Sequence, residues 1–385
     1  MKRKKQFQFV LAGCLLLAST SSFLHASNPE NATEKFKAPP LIECKLSKVG
    51  PEQEIKLSEL ITDFKIINIE DRDDALCGNN FPTVSDKFMG VIQYQKDYLL
   101  FDHNGNLVCK VGRSGQGPGE YVSLSESLID GTDGKLYLVP FSGKQKLMEY
   151  NMDGAFVRDI NIPINDLKKP KVIQQPNGDF IIFQLPFESD PDPVLVLQCD
   201  KDGKLKNKCA PSKSMIVNPR DKDGNYVGFN NEIILPRNTG EYNFMISTSD
   251  TLYNYDPSFN KVSPILALDC GSTRSSIPYI YMTDMPTHYF VFIPSKGVVG
   301  IDKKSKKQSY AMIKNDFAGG MEVPLWSFNN GWYCQAFEPM DLSDKIDGWI
   351  ATGKCTEAEK KQLEKMKASL DPNGTNVVFI GKIKQ

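Results

Sequence analysis

Histidine is scarce in this chain, three in 385 residues, and the motifs that usually carry its chemistry are missing too. No His-Glu-x-x-His zinc motif and no Gly-x-Ser-x-Gly nucleophile elbow occurs. If the chain is cleaved after Ala26, only His103 and His288 remain, each isolated in sequence, and a lone His is usually solvated or packed. Neither sign of charge dominates. The formal net charge is −1, which gives no global attraction to nucleic acid, and no nucleic-acid partner is expected. The one basic cluster away from the N-terminus, Lys303, Lys304, Lys306 and Lys307, reads as a solvated hairpin tip. No Cys-x-x-Cys pair occurs among the nine cysteines, which argues against a structural zinc site, and neither metal nor cofactor is expected. After Ala18 no apolar run approaches the roughly 20 residues that a bilayer span requires.

What is present begins with an export signal. Lys2, Arg3, Lys4 and Lys5 precede an apolar run from Phe7 to Ala18, which dissolves into Ser19, Thr20, Ser21 and Ser22. Two cleavage points compete. Leu24-His25-Ala26 suits ordinary signal peptidase and makes 1–26 the signal. Leu11-Ala12-Gly13-Cys14 is a lipobox that makes 1–13 the signal and Cys14 the lipidated first residue. Cleavage at Cys14 would cut the apolar core in half, leaving Leu15, Leu16 and Leu17 behind, which favours the first point. Either way the mature chain, about 360 residues in the first case, is expected outside the cytoplasm, periplasmic or lipid-anchored at the outer membrane. A flexible segment is expected over 27–50 and a folded body over 51–385. Export permits disulfides, and Cys199 and Cys209, flanking one hairpin, are the best pairing candidates. Several of the cysteines sit in apolar strand-like runs, and most read as buried thiols.

The body reads as strands punctuated by turns. Tyr98, Leu99, Leu100 and Phe101 lead into Asp102-His103-Asn104-Gly105-Asn106, and Leu107, Val108 and Cys109 lead out. Asn and Gly supply the positive φ angles that tight hairpins need. The device recurs at Asn151-Met152-Asp153-Gly154, Gln175-Pro176-Asn177-Gly178, Asp200-Lys201-Asp202-Gly203 and Asp256-Pro257-Ser258. Short strands with recurrent turns point to an all-β sandwich, barrel or propeller, and weak repetition over tens of residues favours the propeller. One short helix is expected near the C-terminus. Thr356 and Glu359 form a capping box for a helix to about Leu370, with Leu363, Met366 and Leu370 on its buried side.

The most distinctive segment is Val111-Gly112-Arg113-Ser114-Gly115-Gln116-Gly117-Pro118-Gly119-Glu120-Tyr121. With the preceding Phe101-Asp102, Asn104-Gly105 and Leu107 to Val111, it resembles the bacterial six-bladed β-propeller family related to NHL repeats. A second unit runs through Leu136 to Val139, Leu147 to Tyr150, Asp153-Gly154 and Phe156 to Ile160. Ile55 to Leu60 with Ile66 to Glu70 is similar to the family's first strand, and Asn376 to Lys382 to its closing strand. The resemblance implies a six-bladed ring with the C-terminal helix inserted before the closing strand. It implies no particular activity, because the family is mostly of unassigned function. Val139-Pro140-Phe141-Ser142 stands where an NHL unit carries Asp and Asn–Arg positions, so binding roles attached to those positions do not carry over.

The glycine-rich loop is mainly a solution to a path problem. Its glycines permit backbone angles that a Cβ disfavours, and Pro118 fixes one φ. Such a loop can carry the chain from the outer strand of one blade to the inner strand of the next, with Arg113 and Glu120 tying it down by pairing or by bonding to free backbone groups. The functional alternative has Arg113, Gln116, Glu120 and Tyr121 facing a ligand.

Other motifs fail on context. The glycine spacing lacks the following helix of a dinucleotide fingerprint. Gly348 to Cys355 approaches a phosphate-binding loop, but Cys355 stands where a magnesium-binding Ser or Thr belongs. Asp221-Lys222-Asp223-Gly224-Asn225 approaches a calcium loop, yet Tyr226 occupies the required Gly position. Tyr279, Tyr281, Tyr289, Phe290, Trp326, Trp332 and Trp349 suit blade packing, or a face for sugar or peptide. Two functions follow. The preferred one is a binding or scaffold protein for a protein, peptide or glycan ligand, and the alternative is a hydrolase or lyase with catalytic residues at the channel mouth. Three converging His, Asp or Glu side chains would favour the enzyme, and an aromatic face would favour binding.

Overall fold

The computed structural model describes residues 35–385 apart from 82, 131–133, 142–144, 166, 222, 227, 229 and 230. Both alternative signals, 1–26 and 1–13, and Cys14 lie outside the described residues. The chain divides into 1–37 and 38–385, and the second unit carries the fold.

Six sheets, each built on four antiparallel strands, follow one another along the chain. Blade 1 holds Thr83–Val84, Phe88–Val91, Tyr98–Asp102 and Leu107–Val111. Blade 2 runs from Leu124 to Asn161, blade 3 from Lys171 to Cys209, blade 4 from Ile233 to Asp269 and blade 5 from Tyr281 to Asn315. The first strand of each blade lies innermost. Thr83 Oγ1 of blade 1 donates to the Ser127 carbonyl of blade 2 at 2.8 Å, and the Val172 N–H of blade 3 donates to Glu126 of blade 2 at 2.7 Å.

The N-terminal part wraps the outside before the first blade begins. Strand β1 (Ile42–Lys45) adds in parallel to the outer strand of blade 4, and β2 (Gly50–Lys56) to that of blade 5. Residues 42–45, inside the segment expected to be flexible, are thus hydrogen-bonded strand. A one-turn helix α1 (Leu57–Leu60) then leads into β3 (Ile61–Asn68), which pairs with Val377–Ile383 as the outermost strand of blade 6. Blade 6 takes its other three strands, Phe328–Asn329, Trp332–Phe337 and Val377–Ile383, from the C-terminal part. The ring is closed by pairing the two ends of the chain.

The core explains why the strands read as continuous apolar runs. A blade in a closed ring buries both faces, so alternate residues feed different layers. In blade 1, Leu99 and Phe101 pack with Ile67, Val378 and Ile380 of blade 6, whereas Tyr98 and Leu100 pack with Leu136, Leu138 and Tyr150 of blade 2. In blade 2, Tyr137 and Val139 face Phe180 and Ile182 of blade 3. Among the described residues there are six such clusters, one for each blade-to-blade contact. The same alternation overturns the favoured cysteine pair. Cys199 packs toward blade 2 and Cys209 toward blade 4, and the strand register sets Cys209 opposite Val196. Both are free thiols, as are the other six cysteines described.

The Asp-x-x-Gly hairpins have a second job. Gly105, Gly154 and Gly203, all with φ near +85°, each close the turn between the third and fourth strands of a blade. Each turn abuts the end of the preceding blade's outer strand: Gly105 lies against the Asn68 carbonyl, Gly154 against that of Lys110 and Gly203 against that of Asn161. In blade 4 the corresponding turn lacks the glycine, and the Asn260 side chain donates to the Lys208 carbonyl at 2.8 Å instead. The turn signal read from sequence is therefore also a docking device between blades.

The C-terminal insertion holds two helices, not one. The capping box forms as expected: Thr356 Oγ1 accepts the Glu359 N–H at 3.3 Å, and Glu359 Oε2 accepts the Thr356 N–H at 2.8 Å, opening α3 (Glu357–Ala368). Ahead of it, α2 (Pro339–Ala351) starts with Pro at its first position and buries Leu342, Ile346 and Trp349 on one stripe. Both helices sit between the second and third strands of blade 6.

Replacing Gly154 by Ala puts a Cβ 2.5 Å from the Lys110 oxygen at a φ of +85°. A loss of about 2 kcal/mol or more is expected in urea unfolding. Gly224→Ala has a similar φ of +83° but open space around the new Cβ, and should cost about 1 kcal/mol. Equal losses would show that the blade contact carries no weight.

Candidate functional site

Antiparallel topology sorts the loops onto two faces. Turns between first and second strands, and between third and fourth, lie on one face. Blade-to-blade connections and second-to-third turns lie on the other, called here the connection face. The helix pair belongs to the connection face by its place in blade 6.

The glycine-rich loop is the connection from blade 1 to blade 2, as expected, and it is built as a tie. Tyr121 is 1% exposed. Its hydroxyl accepts the Tyr98 N–H at 2.5 Å and donates to the Val111 carbonyl at 3.0 Å, and burial pushes its phenol pKa up. Gly112 and Gly119 have positive φ, and a Cβ on Gly112 would lie 2.8 Å from the Tyr121 ring and from the Tyr150 hydroxyl. Tyr150 in turn donates to the Gly119 carbonyl at 3.0 Å. Glu120 accepts the Gly117 N–H at 2.9 Å and lies 3.9 Å from Arg113. Arg113 and Gln116 remain exposed, but none of the four candidate residues lines the cavities described below.

The middle of the ring is plugged. The turn between the first two strands of blade 4 folds inward and carries Arg237 in a left-handed conformation, φ +55°. Its guanidinium donates to the Val172 carbonyl of blade 3 and to Glu126 Oε1 of blade 2, both at 2.6 Å. The next residue, the buried Asn238, donates to Thr283 of blade 5 and to the Phe328 carbonyl of blade 6. Two adjacent residues of one turn therefore join blades 2, 3, 5 and 6 across the axis and separate the two mouths of the channel. Sequence reading did not single out this turn.

On the connection face one side chain stands apart. Trp326 is 59% exposed and borders three cavities. One of about 360 Å³ lies between blade 5, blade 6 and α2; one of about 490 Å³ lies toward blade 1; one of about 320 Å³ lies over the Arg237 plug. Phe292 meets the indole in a T-shaped contact at 5.7 Å between centroids, and the half-exposed Tyr279 lies 6.2 Å from Phe292. Tyr281 lines the cavity over the plug, while Trp349, 9% exposed, forms the floor stripe of α2. The other aromatic candidates serve packing. Phe290 is fully buried, Lys303 lies 4.5 Å over Tyr289, and Trp332 sits between Lys382 and His103 on the opposite face.

A cavity of about 600 Å³ opens on the opposite face. Among its charges Lys382 lies 2.6 Å from Asp86 and over the Trp332 ring, and Arg237 is held by Glu126, while Lys87 is exposed. The two histidines are far apart in the ring, His103 against Trp332 and His288 stacked on Phe290. Among the described residues no three His, Cys, Asp or Glu side chains gather as a metal site would require. Gly348 to Ala351 is the last turn of α2, and Asp221 caps its own turn by accepting the N–H groups of Asp223 and Asn225. Neither forms a phosphate or calcium loop.

Six blades around a plugged axis, closed by β3, define a six-bladed β-propeller. The chain belongs to the family described as a domain of unknown function, DUF4934, which it matches over residues 41–382. No curated protein matches it. It is similar in structure to a Bacteroides fragilis protein described as presumed to be exported, with a TM-score of 0.60 and 13% identity over 90% of this chain and 100% of that one. Weaker likenesses join the WD40 propeller domain of Doa1 (TM-score 0.38, 12% identity, 58% of this chain, 63% of that) and the extracellular domain of a presumed one-component system from B. thetaiotaomicron (0.39, 14%, 65% and 33%).

The helix pair is pinned to the ring by charge. Lys314 of blade 5, its side chain 7% exposed, lies 2.9 Å from Glu359 of α3 and 3.6 Å from Glu54 of β2. Burial disfavours the Glu359 charge, but the Thr356 amide and Lys314 outweigh it and hold the carboxyl below its ordinary value near 4.5. A carboxyl depressed in the folded state contributes fully above its unfolded pKa, and the contribution fades as pH falls through the folded value. Glu359→Gln should therefore cost about 1–2 kcal/mol at pH 7, with the gap to wild type closing as pH drops below about 4.5. A gap independent of pH in denaturant unfolding would contradict the pairing.

Proposed function

We propose that this chain is an exported binding protein or scaffold that holds its ligand, a protein, peptide or glycan, on the connection face against Trp326. One observation carries the reading: an indole more than half exposed, braced by Phe292, at the meeting point of three cavities. Large exposed aromatics beside concave surface are characteristic of binding sites, because they offer much contact area and lose little side-chain freedom. The leader over 1–26, or over 1–13 with a lipidated Cys14, supports delivery to the periplasm or the outer membrane. The described export of the B. fragilis relative agrees with that. The Asp-x-x-Gly hairpins and the Gly115–Tyr121 loop support the kinship with NHL-type propellers.

The mature protein and two variants, immobilised and exposed to native envelope extract, provide the test. Trp326→Ala should retain at least about tenfold less of whatever wild type captures, a difference of about 1.4 kcal/mol. Lys87→Ala, on the opposite face, should capture as wild type does. Equal capture by wild type and Trp326→Ala would contradict this placement of the site.

A further inference from the structure

We infer that the ligand held at Trp326 is a neutral oligosaccharide, an inference that rests on the connection face being the binding face. The indole is a flat apolar surface, 59% exposed, and Phe292 meets it at right angles instead of stacking on it. A pyranose ring has a matching flat patch of C–H groups on one side and hydroxyls around its rim. The cavity beside Trp326 toward blade 1, about 490 Å³, lies within the usual size range of ligand pockets. It offers the second half of that chemistry.

Its lining includes Asn79, Asn80 and Gln335. Gln335 accepts from the Tyr333 hydroxyl at 2.7 Å and Asn80 donates to the Ile92 carbonyl at 3.4 Å, which leaves the Gln335 NH2 to donate and the Asn80 oxygen to accept. Asn79 carries both donors and an acceptor and can bridge two neighbouring hydroxyls. Asp341 and Lys345 line the same cavity from α2, one helical turn apart. Among the described residues neither forms an ion pair, so both remain available to a ligand. Their charges cancel. A surface of cancelling charges and amides gives no preference for a polyanion such as an acidic glycan or a phosphate-bearing chain. An indole flanked by amides and one carboxylate matches a stacked, uncharged sugar.

The experiment uses the mature chain on an array bearing maltohexaose, cellohexaose, laminarihexaose and mannohexaose, a hyaluronan hexasaccharide, and a set of unstructured peptides. Hits are titrated in solution by protection of tryptophan emission from acrylamide. At least one neutral hexasaccharide should bind. Its affinity should fall about tenfold or more in Trp326→Ala and about three- to tenfold in Asn80→Ala or Asp341→Asn, all at exposed positions where the fold is expected to persist. Unchanged near-ultraviolet circular dichroism checks that it does. Retention of no neutral sugar, or of the hyaluronan oligosaccharide alone, overturns the inference, as does a neutral sugar bound equally by Trp326→Ala. Peptides bound in a Trp326-dependent way overturn the sugar while leaving the binding face in place. Envelope capture indifferent to Trp326 overturns the face itself.

Discussion

Everything in this molecule depends on the pairing of β3 with Val377–Ile383. Each blade is apolar on both sides, so none can be an end: a blade without a neighbour would leave a layer such as Leu99, Phe101, Val378 and Ile380 in water. Burying one such side chain is worth about 1.5–3 kcal/mol, and only a closed ring collects that gain at all six contacts. Closure is achieved by strand hydrogen bonds between the two ends of the chain. The turn glycines reinforce it, because each third-to-fourth turn of blades 1 to 3 rests on the outer strand before it, including Gly105 on Asn68 of β3 itself.

Closure also decides where a ligand can sit. A six-bladed ring leaves an axial channel with two mouths, and here the Arg237 turn fills its middle. Glu126 is buried and its partner Arg237 mostly so, and removing Arg237 alone would leave the Glu126 charge uncompensated in the interior. The plug turns the channel into two separate hollows. On one face the hollow has Lys382 paired with Asp86 and Trp332 packed under that lysine. On the other, the helix pair raises a wall beside the 5-to-6 connection, and Trp326 stands free between that wall and the plug. The helices hold this position because Glu359 engages Lys314 and because Leu363 fits against Gly319.

Much of the scaffold was legible in the sequence because it is local. The Asp102–Gly105, Asp153–Gly154 and Asp200–Gly203 turns, the glycine loop with Glu120 as its internal tie, and the Thr356–Glu359 box all act within a few residues, and all form. Helix α2 escaped notice because Asp341, Asp344, Lys345 and Asp347 dominate its composition and hide the Leu342, Ile346, Trp349 stripe. Trp326 was legible only as one of seven aromatics suited to packing or to a ligand face, with nothing local to set it apart, and Arg237 carried no signal at all. Their importance comes from residues that meet them from other blades, such as Phe292 on one and Glu126 on the other. The glycine loop drew attention as the rarest pattern, yet Tyr121 is spent on holding the chain path. Rarity in sequence marked a backbone requirement, whereas the exposed indole sat in an ordinary-looking connection.

The central claim is that the connection face, and not the opposite mouth, receives the ligand. Amide hydrogen exchange on the mature protein, free and loaded with its ligand from the native envelope, tests this most directly because it reads both faces at once. Added protection is expected over 322–352, covering the Trp326 connection and α2, with 83–88 and 382–385 on the opposite face unchanged. Protection confined to 83–88 and 382–385 would contradict it.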